Sequence, residues 1–279
     1  MTLLNTILRS ILDLLLTPFE GFSPWVGLIV ISLLSAVVAL LVYKKVSNQD
    51  AIERVKSRMQ ASLFEIRLFN DDLRAILRAQ GAFLLANLRY LALNLVPLLW
   101  MIVPFLLVFV HLEPRYRNQG FSPDTAALLE VEVAGGEGSS TERPSLELDL
   151  PAEIRSDSPA IWLAGARRMA WRLVSDEPAA HVIGVRSGSV THPKEIRFND
   201  RAELFSAERP AKGLLGQLAQ PAEKPLPSDS GLSSITVNYP ERSWGTVPWT
   251  DIPIAWWFWW LVLMVVFGLA LRRPMGVQI

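Results

Sequence analysis

The sequence contains no cysteine and only three histidines, at positions 111, 181 and 192, in 279 residues. A chain without cysteine forms no disulfides and has no thiolate for nucleophilic catalysis or metal binding. The histidines lack the short spacings, such as H-x-x-x-H, that place two imidazoles on one metal ion. We therefore expect no cofactor and no metal site.

Sequence motifs of common enzyme classes are also missing. The chain has no Walker loop, no G-x-S-x-G nucleophile elbow and no dinucleotide fingerprint. Neighbouring Ser and Asp residues, such as Asp157 and Ser158, are ordinary turn chemistry. We expect no catalytic activity, and no small-molecule substrate is evident.

Long apolar runs dominate the sequence instead, at residues 25–43, 82–111 and 254–271. Each run is long enough to cross a hydrocarbon core of about 30 Å at about 1.5 Å per helical residue. The pattern predicts an α-helical membrane protein with three transmembrane helices. The polar residues 44–81 and 113–250 separate these helices.

The distribution of basic residues predicts the orientation, because short basic loops stay in the cytoplasm. Residues 44–80 carry eight Lys and Arg against five acids, and the tail after residue 271 begins with two arginines. Residues 113–253 carry 15 basic and 20 acidic residues, a balance that argues against nucleic-acid binding. We expect a bacterial or archaeal cytoplasmic (inner) membrane, with the N terminus outside, the C terminus cytoplasmic and the large domain extracytoplasmic.

The first 20 residues have apolar side chains at helical spacing, interrupted by Arg9 and Asp13. No small-residue cleavage site of the A-x-A kind follows, as a signal peptide would require. We interpret residues 1–20 as an amphipathic helix that lies in the outer membrane interface.

Residues 44–81 are predicted to form a cytoplasmic helical hairpin. Apolar residues from Ile52 to Ile76 follow the alternating three- and four-residue spacing of a coiled coil. Asn70 can cap a new helix, and Asp71 and Asp72 favour its positive end. The alternative is one straight, solvated helix.

The second apolar run, 82–111, is unusual because its first half contains polar residues, which are expensive in a membrane unless they face protein or water. One interpretation is that Arg89 extends to the lipid headgroups. The other is a wet cavity open to the cytoplasm, a hydrophilic groove. Its candidate residues are Ser32, Ser35, Asn87, Arg89, Tyr90 and Asn94.

Residues 113–250 contain short alternating segments with the spacing of a β-sandwich. Residues 128–133 and 146–150 are predicted to pair as a hairpin across a Gly-rich turn. Further strands are predicted at 160–163, 169–174, 181–186, 195–198 and 234–239, and residues 204–218 have helical character.

Tryptophans mark the ends of the apolar runs, as in an interfacial aromatic belt. The candidate anchors are Trp25, Trp256, Trp257, Trp259 and Trp260. The alternative, in which these rings stack on a cofactor, is not favoured by any other feature.

This order of elements resembles the YidC/Oxa superfamily, over residues 1–112 and more loosely 250–275. The resemblance rests on the outer helix, the first span, the basic hairpin and the second span, entered through RAQGAFLLANLRYLALNLVPLLWMIVPFLL. The nearest parallels are archaeal YidC-like proteins and the third subunit of the ER membrane protein complex. The first span lacks the arginine found in bacterial members, and the large outer domain is an addition.

The resemblance implies a membrane protein insertase or chaperone that shelters hydrophobic segments of client proteins in a cytoplasm-facing groove. The alternative is a scaffold or accessory subunit that binds partner membrane proteins through its spans and outer β domain. Membrane lipids are expected partners in both cases.

Overall fold

The computed structural model describes residues 2–69, 71–122, 125–135, 142–199, 204–211, 213, 216 and 220–277. They fold into two compact units. The sheet unit consists of Met1–Gly27 and Val108–Trp256, and the helical unit consists of Leu28–Leu107 and Trp257–Ile279. Helices and an antiparallel, sheet-rich unit are both present, which confirms that part of the fold prediction.

Helices form the chain up to residue 116 and a segment near its C-terminal end. Their bounds are α1 Thr2–Leu16, α2 Pro24–Val46, α3 Gln49–Leu68, α4 Leu73–Tyr116 and α5 Trp256–Leu271, and a 3₁₀ turn at Thr17–Phe19 follows α1. Pro24 is the first residue of α2, a position where the missing N–H has no intrahelical partner in any case.

Side-chain caps fix the starts of α3 and α4. Asn48 accepts a hydrogen bond from Ala51 N (3.0 Å) at the start of α3. Asp72 accepts hydrogen bonds from the backbone N–H groups of residues 74 and 75 at 2.9 and 3.2 Å. Asp72 is therefore the cap of α4, whereas Asn70, the residue expected to cap, lies outside the described residues.

Helix α3 ends at Leu68 and α4 begins at Leu73. Ile52 and Val55, on the first half of α3, are buried. Lys56 Nζ lies 5.7 Å from the centre of the Tyr90 ring on α4. The first half of α3 therefore lies beside the part of α4 well beyond the turn, as in an antiparallel hairpin.

Helix α4 is 44 residues long and continues through Pro97 and Pro104. Two helices, α2 and α4, are long and apolar enough to cross a membrane, with mean hydropathy of 2.8 and 2.5 in their most apolar windows. Helix α5 is apolar throughout but has 16 residues, which is shorter than the run predicted at 254–271.

Nine strands in the described residues form two antiparallel sheets. The strands are β1 Ala127–Val133, β2 Leu146–Asp149, β3 Ile154–Ser156, β4 Ile161–Leu163, β5 Arg168–Ser175, β6 Ala180–Ser187, β7 Val190–Arg197, β8 Glu208–Pro210 and β9 Leu232–Val237. One sheet has the order β3-β5-β1-β9-β8, with β4 also pairing to β5, and the other has the order β2-β6-β7.

A single hydrophobic core receives side chains from both sheets, as in a β-sandwich. Leu129 and Met169 enter it from the first sheet, and Ile183 and Ile196 enter it from the second. The alternation of buried and exposed residues along β1 and β6 follows the two-residue period of a strand.

The predicted hairpin of residues 128–133 and 146–150 is wrong. Strand β1 pairs with β5 on one side and β9 on the other, so both of its edges are occupied. Strand β2 pairs with β6 in the other sheet. Most of the Gly-rich segment between β1 and β2 lies outside the described residues.

The helical character predicted for residues 204–218 is wrong for residues 204–211, and several of the remaining positions lie outside the described residues. Strand β8 pairs with β9 there, and Phe205 is fully buried in the sandwich core. Tertiary pairing thus overrides the local pattern. The short strands β3 and β8 were not predicted.

The sandwich core should dominate the stability of the sheet unit. Leu129 is fully buried and its neighbour Leu128 is 39% exposed, which makes the two residues a matched pair on one strand. We expect Leu129→Ala to lower the free energy of unfolding by about 2–5 kcal/mol and Leu128→Ala by less than about 1 kcal/mol. Denaturant unfolding followed by strand circular dichroism measures both, and equal losses would contradict this core assignment.

Candidate functional site

A cavity of about 440 Å³ lies between the end of α2 and the middle of α4, within the helical unit. Residues three and four apart on α4 share one helix face and form most of its wall. The lining residues are Tyr43 from α2 and Leu91, Ala92, Asn94, Leu95, Leu98 and Met101 from α4. The cavity therefore presents a mainly apolar surface that contains one polar pair.

Tyr43 and Asn94 form that polar pair. The Tyr43 hydroxyl donates to Asn94 Oδ1 at 2.5 Å, and Asn94 Nδ2 donates to the Tyr90 carbonyl at 2.7 Å. Hydrogen bonding offsets the cost of placing polar groups among apolar ones. Because an amide has two N–H donors and an oxygen with two lone pairs, these bonds leave Asn94 with one further donor and one further lone pair.

Four of the predicted groove residues lie on α4, and only Asn94 lines the cavity. Tyr90 contributes the carbonyl that Asn94 binds. Asn87 is half-buried and outside the lining, and Arg89 is exposed. Within the part of the chain that the structure describes, the Arg89 guanidinium forms no hydrogen bond or ion pair.

The two predicted groove residues on α2 also lie outside the cavity lining. Ser32 is fully buried, and its hydroxyl donates to the Leu28 carbonyl at 2.6 Å. Ser35 Oγ accepts a hydrogen bond from Trp260 Nε1 at 3.4 Å. The structure thus does not bring the six groove candidates together, because both serines bond within the packed helices instead.

The five predicted anchor tryptophans divide into two groups. Trp256 and Trp260 are buried, with Trp256 stacked on Phe109 at 5.2 Å and Trp260 against Phe105 at 4.6 Å between ring centres. The other three keep exposed surface: Trp25, Trp257 and Trp259. Only this second group is accessible at the surface of the protein.

A buried arginine in the sheet unit was missed by the sequence predictions. Arg115, at the end of α4, donates to Asp13 at 2.5 Å and to Glu20 at 2.7 Å, and Arg9 lies 3.5 Å from the other Asp13 oxygen. This ion cluster, formed by Arg9, Asp13, Glu20 and Arg115, joins α1 and the turn after it to the end of α4. The only sequence signal was the isolated charges of an otherwise apolar N-terminal segment.

A second buried cation, Lys194, lies in the middle of β7. Its Nζ donates to Glu223 and to both the hydroxyl and the carbonyl of Ser206, each at 2.7 Å. Burial lowers the pKa of Lys194, and the Glu223 carboxylate opposes this change. The two-residue period of β7 also buries His192, whose pKa is lowered by burial and by Arg209.

A larger cavity of about 570 Å³ lies in the sheet unit between α1 and residues 220–225. Arg9 and Lys224 line it together with Asp13 and Glu223, so its charges are mixed and favour no ligand of one sign. Within the described ranges, no group of three or more His, Asp or Glu side chains is placed to hold a metal ion.

Comparison with known proteins finds no matching family model, no matching curated protein and no matching solved structure.

The ion cluster around Arg115 should stabilise the protein far more than an exposed pair. Arg115 is 3% exposed, whereas Arg117 pairs with Glu113 and Glu241 through a side chain that is 54% exposed. We expect Arg115→Met to lower the free energy of unfolding by about 1–3 kcal/mol, because two carboxylates lose their buried partner. The unfolding temperature should fall by several degrees as a result. Arg117→Met, the matched control, should cost less than about 1 kcal/mol. Thermal unfolding of the full chain measures both, and equal shifts would refute this ranking.

Proposed function

We propose that the chain spans a membrane through α2, α4 and α5. The strongest support is the exposure of α4, whose most apolar window is only 17% buried within the protein. Val96, Leu99 and Val103 are among the large apolar side chains on its surface. In water such a continuous apolar face would drive aggregation, whereas lipid acyl chains cover it at no cost.

The short length of α5 is consistent with this proposal. Sixteen residues at about 1.5 Å each give α5 a length of about 24 Å, which is below the hydrocarbon thickness of about 30 Å. A short span is accommodated when the bilayer thins around it. Local thinning lowers the cost of moving polar groups across the membrane.

The proposed orientation places α3 in the cytoplasm and the sheet unit outside, in a bacterial or archaeal cytoplasmic membrane. The excess of basic residues in 44–80 and the arginines at 272 and 273 support it, since such residues stay on the cytoplasmic side. The acidic balance of residues 113–253 is consistent with an outer location.

Within this membrane protein, we propose a YidC-like insertase or chaperone function, in which the cavity between α2 and α4 holds an apolar segment of a client protein. The observation that carries the proposal is the Tyr43–Asn94 pair set in an otherwise apolar wall. The apolar wall matches the side chains of a hydrophobic helix. The remaining donor and lone pair of Asn94 match an unpaired backbone or polar group of that helix, which would otherwise be expensive in lipid.

A second candidate function, a scaffold that binds a partner span permanently, is favoured by one observation. Arg89 lies outside the cavity, and the lining contains no cationic group. The apolar run 25–43 in α2 carries no charge either. A mainly apolar cavity suits stable helix packing as well as transient holding.

Filling the cavity tests whether it holds clients. We expect Ala92→Phe to reduce insertion of a short-tailed membrane protein into proteoliposomes by about tenfold, since roughly 1.4 kcal/mol of lost contact changes binding by that factor. Leu99→Phe adds an aromatic ring on the exposed face of the same helix and is the matched control. If both variants insert clients as the parent does, the cavity has no role in insertion.

The same assay distinguishes the two candidate functions through Asn94. The insertase function predicts that Asn94→Leu impairs insertion, because the cavity loses its polar group, and that Arg89→Ala, outside the cavity, inserts clients as the parent does. The scaffold function predicts no insertion activity even for the parent chain, and equal abundance of all variants in the membrane.

A further inference from the structure

A short, braced loop precedes α5 in the sheet unit. Thr246 and Pro253 form an isolated antiparallel bridge, and Val247 N donates to Ile252 O at 3.0 Å. Both the backbone N–H and the hydroxyl of Thr250 donate to the Val247 carbonyl, at 3.0 and 3.1 Å. These bonds fix the loop formed by residues 246–253, which we call the tryptophan loop.

Trp249, at the tip of this loop, has an unfavourable backbone conformation, and its side chain is not buried. Its φ is +63°, a region that bulky L-residues rarely adopt. Its side chain is fully exposed, and Val247 and Ile252 beside it are also exposed. A strained, exposed indole held by a fixed loop contributes nothing to the core, and backbone strain of this kind is typical of functional sites.

The base of the tryptophan loop is attached to the ends of three helices. Trp244 is buried, its Nε1 donates to the Tyr116 carbonyl at 2.9 Å, and its ring lies 5.0 Å from Trp25, edge to face. Trp256 stacks on Tyr116 at 6.0 Å. Trp25 lies in the first turn of α2, Tyr116 ends α4 and Trp256 opens α5, so the base of the loop packs against one end of each of these helices.

We propose that the tip of the tryptophan loop, Val247, Trp249 and Ile252, inserts into the outer interface of the bilayer and anchors the sheet unit on the lipid surface. This inference rests on the proposal that the helices span a membrane. The three helix ends at the loop base then mark the outer boundary of the bilayer. Tryptophan prefers this depth, because its ring is apolar and its N–H is polar. The exposed Asp251 on the same loop keeps the tip at the level of the headgroups.

Lipid quenching tests the insertion directly, because the native chain has no cysteine and a single one can be labelled. We place Ile252→Cys in the full chain, label it with a fluorophore and reconstitute it in phosphatidylcholine vesicles that contain lipids with a shallow nitroxide. We expect strong quenching. Adding Trp249→Asn should reduce this quenching at least about twofold, because Asn tolerates a positive φ but lacks the interfacial affinity of Trp.

Two further labels separate the possible failures. Ser189→Cys, in the exposed turn between β6 and β7, should show no quenching. Leu99→Cys on α4 should be quenched by lipids that carry the nitroxide deep in the acyl chain if that helix is in lipid. An unquenched label at position 252 with a quenched one at 99 overturns the loop insertion and leaves the spanning proposal intact. Unquenched labels at both positions overturn both proposals. Quenching at 252 that Trp249→Asn leaves unchanged overturns the role of Trp249.

Discussion

The constraint on which the rest of the structure depends is the uncovered apolar surface of α4. A helix of 44 residues whose most apolar window is only 17% buried does not stabilise itself in water by packing. In the proposed arrangement, a bilayer or the helices of other membrane proteins cover this surface. The proposed function uses the same surface. The cavity is formed mostly by apolar side chains of α4, and in the proposal an apolar segment of a client protein packs against them.

The polar contacts occur where this apolar surface is interrupted. Tyr43 and Asn94 satisfy each other within the cavity wall, and Arg115 is held by two carboxylates where α4 ends. Both sets of bonds fix positions along the helix that apolar packing alone leaves free to shift, because apolar side chains make no directional contacts. In the proposed membrane arrangement, Asn94 gives the client cavity its polar point and Arg115 joins α4 to α1 at the outer boundary.

Much of the fold follows from local sequence patterns, and much of the site does not. The apolar run at 25–43 and the alternation in β5 and β6 predicted elements within a few residues, because period and hydrophobicity are local properties. The pairing of β1 with β9 and the burial of Lys194 beside Glu223 depend on residues far apart in the chain. Local patterns in a single sequence do not predict such contacts. Polar residue type suggested Asn94, which lines the cavity between α2 and α4, and also Ser32, whose hydroxyl bonds within its own helix.

The most direct test of the account is the side of the membrane on which each unit lies. Single cysteines at Ser57, exposed on α3, and at Ser189, exposed between β6 and β7, report the two sides in a chain with no native cysteine. An impermeant thiol reagent added to intact cells, or to spheroplasts where an outer membrane is present, should label Ser189→Cys and leave Ser57→Cys unlabelled until the membrane is opened. Labelling of Ser57→Cys in sealed cells, or extraction of the protein from membranes by carbonate, would contradict the proposed membrane topology and with it the client cavity.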